Sequence, residues 1–286
     1  MSNLSTSERF YFSHDTLSLI NKYSGSTFVI KYGGSAMKNS SLKLNIIQDI
    51  SFLRSLGIKI ILVHGGGYLI DHWLSKLNIQ PKFQDGLRVT DAITMDVVEM
   101  VLSGHINKNL VSLFSRHNIN SVGLSGKDAS LVMATPLFDN SNNFAGRINK
   151  INIDLLNIFL SNDIFPVVAS VATDLQGITY NINADTLASS IASSVKADKL
   201  ILLTDTPGLL YDLNDTSTVI KDLNLEKIND LNSKGIIKNG MIPKINCCID
   251  AINNNVPAAH IIDGRIRYSL LYEILTYERV GSMLVA

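Results

Sequence analysis

The stretch IKIILVHGGG at residues 58–67 constrains this chain more than any other. Its first part is an apolar, β-branched run with no regular alternation of polar and apolar positions. A strand of that kind is buried on both faces, as parallel strands are when helices cover the sheet. Three glycines follow His64 at the strand's carboxyl end. In open α/β sheets ligands bind at that end, and consecutive glycines let backbone N–H groups approach an anion with no Cβ in the way. A second unit of the same design lies upstream, FVIKYGGS at 28–35, with Lys31 in its strand end. Two glycine-rich strand ends, one carrying a cation, point to a site for phosphate.

Plainer readings compete. A lone Gly-Gly after a strand is usually only a turn. His-Gly-Gly-Gly also forms the oxyanion-hole loop of esterases, but that chemistry needs a Gly-x-Ser-x-Gly elbow, which the sequence lacks. The P-loop pattern Gly-x-x-x-x-Gly-Lys-Ser/Thr and the dinucleotide pattern Gly-x-Gly-x-x-Gly are absent too.

With 286 residues the chain can form one large α/β domain or two small lobes sharing a sheet. Lys plus Arg and Asp plus Glu both number 25, so nothing draws the protein electrostatically to nucleic acid or membrane. No apolar run is long enough to cross a bilayer, and the first residues lack the charged-then-apolar order of a secretory signal, so a soluble intracellular protein is expected. Cys247 and Cys248 are adjacent, a spacing unsuited to an ordinary disulfide or a zinc site.

The pattern along the chain alternates strands with helices. An amphipathic helix is expected over 7–23, with Ser7 as its cap and Phe10, Leu17, Ile20 and Tyr23 on one face. The sheet does not need it. Strands at 27–32 and 58–63 flank a helix at 42–56 closed by Gly57, and a short helix at 68–77 starts on the glycine loop. That start aims a partial positive charge at whatever the glycines bind. Asp85-Gly86 marks a turn before a strand carrying Arg88, and Thr90 or Asp91 caps a helix to about residue 117. Then come a strand at 120–124, a polar hairpin over 131–148 whose 139–143 tip is expected to be exposed, a helix at 152–162 and a strand at 164–170. NINAD at 181–185 opens a small-residue helix, strand 200–203 runs into TDTPG, and 212–236 reads as peripheral. GMIPK at 240–244 opens a helix, with Pro243 in the first turn where its missing N–H costs nothing. Strand 258–262, a helix from 268 and a strand at 282–286 follow.

In order, IKYGGSAM, ILVHGGG, DGLRVTD, NINAD, LILLTDTPGLL and GMIPK resemble the motifs of the amino acid kinase family, most closely the branch whose acceptor is N-acetyl-L-glutamate. The resemblance runs from Val29 to the C-terminus. It implies an α/β fold, an open αβα sandwich around a mainly parallel eight-stranded sheet. Residues 25–170 would bind the acyl substrate and dimerise, and 171–286 would bind ATP. The implied reaction is phosphoryl transfer from MgATP to the side-chain carboxylate, an early step of arginine biosynthesis. That carboxylate is already ionised at neutral pH, so no general base is needed, and catalysis reduces to positioning anions and stabilising charge. By resemblance, Lys31 and Lys244 flank the phosphoryl group and Asp185 holds both lysines. Gly34 and Gly67 offer N–H groups to the γ-phosphate. Gly66, Gly67, Arg88 and Asn181 contact the acyl substrate, and Thr204, Asp205, Gly208 and Met241 lie where the family puts adenosine. Magnesium comes with ATP, and no tightly bound cofactor is expected. Asn239 stands where the family has a second glycine before Gly240. Carbamate kinase, glutamate 5-kinase, aspartokinase and UMP kinase share the fold, but Arg88 within GLRVTD and the NINAD motif favour the acetylglutamate branch. A catalytically silent regulatory subunit is disfavoured because both lysines and Asp185 are present.

Regulation is implied by the same resemblance. In arginine-inhibited members a helix like 1–24 links dimers into a hexamer, and arginine binds near the C-terminus. Glu278 and Gly281 match that region here, so L-arginine is expected as an inhibitor. Plastid and cyanobacterial relatives also bind a PII signalling protein. Isoleucine and asparagine outnumber alanine and glycine, as an AT-rich coding sequence favours. With no transit-like leader, an organelle-encoded protein of the plastid stroma is expected, or a bacterial cytoplasmic one.

Overall fold

The computed structural model describes residues 14–84, 86–139, 142–238 and 240–286. Helix α1 (His14–Tyr23) leads into the first apolar run, which forms strand β1 (Thr27–Tyr32). Helix α2 (Ser40–Ser55), whose first N–H groups are capped by Asn39 Oδ1, returns the chain to β2 (Lys59–His64). The two strands are parallel neighbours, with Lys31 level with Val63 and Tyr32 level with His64. Side chains alternate across a strand, and here each face has its own core. Val29, Ile61 and Val63 join one buried cluster, whereas Phe28, Ile30, Tyr32, Ile60 and Leu62 join the other. Two buried faces explain the missing polar alternation. Because the strands are parallel and in step, both glycine loops emerge side by side at the carboxyl end of the sheet.

The remaining elements follow in order. Helix α3 (Gly67–Lys76) begins on the last glycine, then come hairpin strands β3 (Lys82–Gln84) and β4 (Leu87–Val89) and helix α4 (Ala92–Glu99). A π-helical segment (Met100–Ile106) joins α4 to α5 (Asn107–Arg116), which leads to β5 (Ser121–Leu124). Next are β6 (Val132–Pro136), β7 (Gly146–Ile151), α6 (Ile153–Ser161), β8 (Phe165–Ala169), β9 (Val171–Thr173) and β10 (Thr179–Asn181). The last third holds α7 (Ala184–Ser194), β11 (Lys199–Thr204), β12 (Asp222–Leu223), α8 (Leu225–Ser233), α9 (Met241–Asn253), β13 (Ala258–Asp263), α10 (Ser269–Leu275) and β14 (Ser282–Val285). Among the described residues the main sheet has eight strands in the order β12-β14-β13-β11-β1-β2-β8-β5, parallel throughout except between β13 and β14. A second sheet, β10-β9-β6-β7, packs beside it. No helix among the described residues is long and apolar enough to cross a membrane.

The long helix capped at 90 or 91 is present, and three other readings of the sequence need correction. The helix expected from 90 or 91 to 117 contains the π segment, and its cap is Asp91, whose Oδ1 accepts the Thr94 N–H. Thr90 is buried and serves the site instead. The 212–236 segment is not merely peripheral, because β12 forms an edge of the main sheet and Leu223, Ile228 and Leu231 enter the core. The hairpin tip is not wholly exposed: Asn143 is buried because its Oδ1 accepts N–H groups from Thr90 and Ala145, both at 3.1 Å. The α1 stripe is used within the chain, since Leu19 is buried and Ile20 and Tyr23 pack on the core. Leu17 remains exposed. Ser7, Phe10, Asp85 and Asn239 lie outside the described residues.

Asp49, in α2, is buried among apolar neighbours with no hydrogen-bond partner for either carboxyl oxygen among the described residues. Burial raises its pKa to about 7, against a weaker opposing pull from Arg267. The native state therefore holds this proton to higher pH than the unfolded chain does, so stability present below about pH 4 is lost as pH rises towards 7. Asp49→Asn is expected to flatten this slope and to leave the variant more stable than wild type at pH 8 by on the order of 2 kcal/mol. Thermal melts from pH 4 to 8 would show it; parallel curves for the two proteins would refute it.

Candidate active site

Lys31 stands two residues beyond Val29 on the same face of β1, the face covered by α7. Buried Ala188 and Ala192 let that helix press close to the sheet, which brings its start to the carboxyl end of β1. Asp185 sits in the first turn of α7, where the Asn183 side chain accepts N–H groups from Asp185 and Thr186. A carboxylate is favoured at such a helix start. Its Oδ1 lies 2.9 Å from Lys31 Nζ, and its Oδ2 accepts from Lys244 Nζ at 2.7 Å. Lys244 arrives on the first turn of α9, which packs against α7 through Ser189 Oγ donating to the Cys247 carbonyl at 2.8 Å. Burial alone would raise the Asp185 pKa, but Lys31 and Lys244 outweigh it and hold it at about 2. The carboxylate is thus an anionic bridge between two ammonium groups. Stability from this bridge is present above the ordinary carboxylate pKa and is lost as pH falls towards 2.

At the other end of the cavity Arg88 is buried on β4, its guanidinium stacked 4.8 Å over the Phe83 ring and its Nη2 2.8 Å from Asp71 Oδ1. Its Nη1 is buried with no partner among the described residues. The residue lines the cavity beside Gly67, and a planar guanidinium there suits a ligand carboxylate. Thr90 Oγ1 donates to the Arg88 carbonyl at 2.9 Å and accepts from Asn181 Nδ2 at 3.0 Å, so one hydroxyl couples both residues. One N–H of the Asn181 amide is thus engaged, and its Oδ1 is an acceptor in any case.

Glycines permit the close approaches. Gly34 has φ +72°, and a side chain there would overlap the Asp205 carboxylate. At Gly66 a methyl group would overlap the Ile106 side chain and come within 2.9 Å of Leu102 Cδ2, both on the π segment. Gly66→Ala is therefore expected to destabilise the fold by about 1–3 kcal/mol through overpacking, with a matching fall in melting temperature. An unchanged melting temperature would show that the π segment yields freely.

A cavity of about 440 Å³ brings together Lys31, Gly34, Gly66, Gly67, Arg88, Asn181 and Asp185. Lys244 joins through its ion pair with Asp185. Thr204 ends β11, beside β1, and Asp205 faces Gly34, whereas Gly208 packs against Ser282 and Met241 opens α9; none of these four lines the cavity. Glu278 is remote from it, in a second cavity near Arg267, Tyr277 and Arg279. Gly281 is buried beside that region, and its N–H and that of Val280 donate to Glu273 Oε2. Glu273 Oε1 accepts from His260 Nδ1 at 2.7 Å, and Lys199 Nζ donates to His260 Nε2 at 3.0 Å. Burial lowers the pKa of that histidine and brings Lys199 down to about 8. Sequence reasoning missed Asp71, Thr90, Asn107 and Asn143 as site-building residues. Only Thr90 had a local signal, its place in the DGLRVTD segment.

Residues 26–263 match the amino acid kinase family. The chain is 54% identical over 283 residues to an acetylglutamate kinase from Gracilaria tenuistipitata var. liui, covering 99% of each. The chain belongs to the amino acid kinase family. Another relative, an acetylglutamate kinase from Trichodesmium erythraeum, is 50% identical, with 95% of this chain and 93% of that one covered. Among solved structures, the N-acetylglutamate synthase of Neisseria gonorrhoeae complexed with coenzyme A and N-acetyl-glutamate superposes with a TM-score of 0.83 at 23% identity. That match covers 95% of this chain and 62% of the synthase, a likeness of fold. The mainly parallel sheet with helices on both sides is thus the family's architecture.

Proposed function

We propose that this amino acid kinase transfers the γ-phosphoryl group of ATP to the side-chain carboxylate of N-acetyl-L-glutamate, forming N-acetyl-L-glutamyl 5-phosphate and ADP in arginine biosynthesis. The observation that carries this reading is the charge layout of one cavity, lined by the Arg88 guanidinium and by Lys31 and Asp185, with Asp185 bridging Lys31 to Lys244. Full-length likeness to acetylglutamate kinases supports the choice of acceptor. A carboxylate oxygen attacks the γ-phosphorus, the bond to the β,γ-bridging oxygen breaks, and ADP leaves with the electron pair. Lys31 and Lys244 offset the charge on the transferred group, and the N–H groups of Gly34 and Gly67 act as preorganised donors. Arg88 and Asn181 hold the α-carboxylate and the acetylamino group, with Gly66 and Gly67 against the substrate. Thr204, Asp205, Gly208 and Met241 form the adenosine side, within a C-terminal half, 171–286, that serves ATP, while 25–170 serves the acyl substrate and dimerisation. Among the described residues no three His, Cys, Asp or Glu side chains converge to hold a metal. Magnesium fits as part of MgATP, held by phosphate oxygens and water. ADP release measured side by side with N-acetylglutamate, glutamate, aspartate, carbamate and UMP tests the reading; preference for any of the other four would overturn it.

Regulation forms part of the same proposal. L-Arginine inhibits, binding near Glu278 and Gly281, with Glu278 facing the arginine guanidinium. Residues 1–24 link dimers into a hexamer, and a PII signalling protein relieves inhibition. Likeness to red algal and cyanobacterial relatives favours the plastid stroma, or else a bacterial cytoplasm. Deleting residues 1–24 is expected to convert a hexamer to a dimer in sedimentation and to abolish arginine inhibition. A full-length dimer, or an intact protein indifferent to arginine at about 10 mM, well above the affinity range expected of a small charged effector, contradicts it.

A further inference from the structure

The side chains that hold the 65–67 loop come from outside it. Asn107, the first residue of α5, is fully buried directly after the π segment. Its Nδ2 lies 2.9 Å from the Val167 carbonyl of β8, 3.3 Å from the Leu124 carbonyl of β5 and 3.1 Å from His64 Nε2 at the end of β2. Carbonyls only accept, so the amide nitrogen must face them. It carries two protons and accepts none, so His64 Nε2 is also an acceptor, and the longer contact to the Leu124 carbonyl shares a proton with its neighbours. The imidazole proton therefore sits on Nδ1, which is 3.1 Å from the Gly65 carbonyl and donates to it. Burial, with Lys108 nearby, outweighs that hydrogen bond and lowers the His64 pKa to about 4, so the ring is neutral at physiological pH. The preceding peptide is tied down as well, through the Gly65 N–H and the Tyr32 carbonyl at 3.3 Å. A trans peptide places its C=O and N–H on opposite sides. With the Gly65 carbonyl held towards the ring, the Gly66 N–H faces away from it, and Gly65, Gly66 and Gly67 all line the cavity.

We propose that Asn107 is a positioning residue for phosphoryl transfer: through His64 it sets the plane of the Gly65–Gly66 peptide and so presents the Gly66 N–H to the acidic substrates. The inference rests on the kinase reading above. Room for a larger replacement is small, because the Asn107 Oδ1 already abuts Gly123, where a side chain would overlap it. A misaligned donor weakens binding of developing charge more than ground-state binding. His64→Leu, which cannot donate to Gly65, is expected to lower kcat by about ten- to a hundredfold with KM for both substrates within about threefold. Asn107→Leu should do the same. Asparagine can place an N–H near the position of imidazole Nδ1, so His64→Asn should keep kcat within about threefold of wild type, a rescue that mere filling of space would not produce.

The decisive experiment combines these kinetics with the tautomer of His64 in the intact wild-type protein, read by nitrogen NMR after histidine labelling. A neutral ring protonated on Nδ1, together with the kcat-selective loss and its rescue, supports the inference. An Nε2-protonated or charged ring at neutral pH overturns it, whether or not the variants fold. Folded His64→Leu and Asn107→Leu proteins with near wild-type kcat overturn it alone, leaving the kinase reading intact. A wild-type protein inert towards all five acceptors overturns both.

Discussion

Replacing Lys244 with alanine is expected to lower kcat at least about a hundredfold, and replacing Lys31 should do the same, on the scale of losing one preorganised charge partner in a water-poor site. Each ammonium group holds a different oxygen of Asp185, so removing one leaves the carboxylate paired with the other. The fold should therefore survive either change. Lys244 has the smaller structural share, because its side chain keeps 19% of its exposure while Lys31 keeps 11%. The melting temperature should accordingly fall less for Lys244→Ala. Steady-state kinetics with saturating ATP and acetylglutamate measures the effect. If Lys244→Ala kept more than about a tenth of wild-type kcat, its ammonium group would be only a structural partner of Asp185.

Arg88→Lys carries the second large effect, expected in KM and not in kcat. The guanidinium stacks on Phe83, binds Asp71 through Nη2 and leaves Nη1 over. A lysine head group is a single point charge and cannot keep the Asp71 contact while offering a ligand the planar fork of a guanidinium. Losing one hydrogen bond to a charged group costs roughly 1.5–3 kcal/mol, which corresponds to about ten- to a hundredfold in affinity. KM for the acetylated amino acid should rise by that factor, while KM for ATP stays within about twofold. A change confined to ATP would move Arg88 out of the acyl site.

What the sequence determined by itself was chemistry of short range. Apolar runs without alternation identified strands buried on both faces, and β1 and β2 are such strands. Glycine runs at their ends, the NINAD cap and the Pro243 helix start depend on neighbours within a few positions, which is why 181–185 and 240–244 were legible in order. Eight strands and their mainly parallel arrangement followed from family likeness, because periodicity carries no information about which strand pairs with which. The tertiary structure decided everything that depends on strand order. Asn107 meets a carbonyl 60 residues away and His64 43 residues away, and Asn143 supports Thr90 across 53 residues. No local pattern marks such residues, since an asparagine in a helix or a polar loop is ordinarily solvated. They become site-building only when the sheet brings unpaired carbonyls and N–H groups into an interior where water cannot satisfy them.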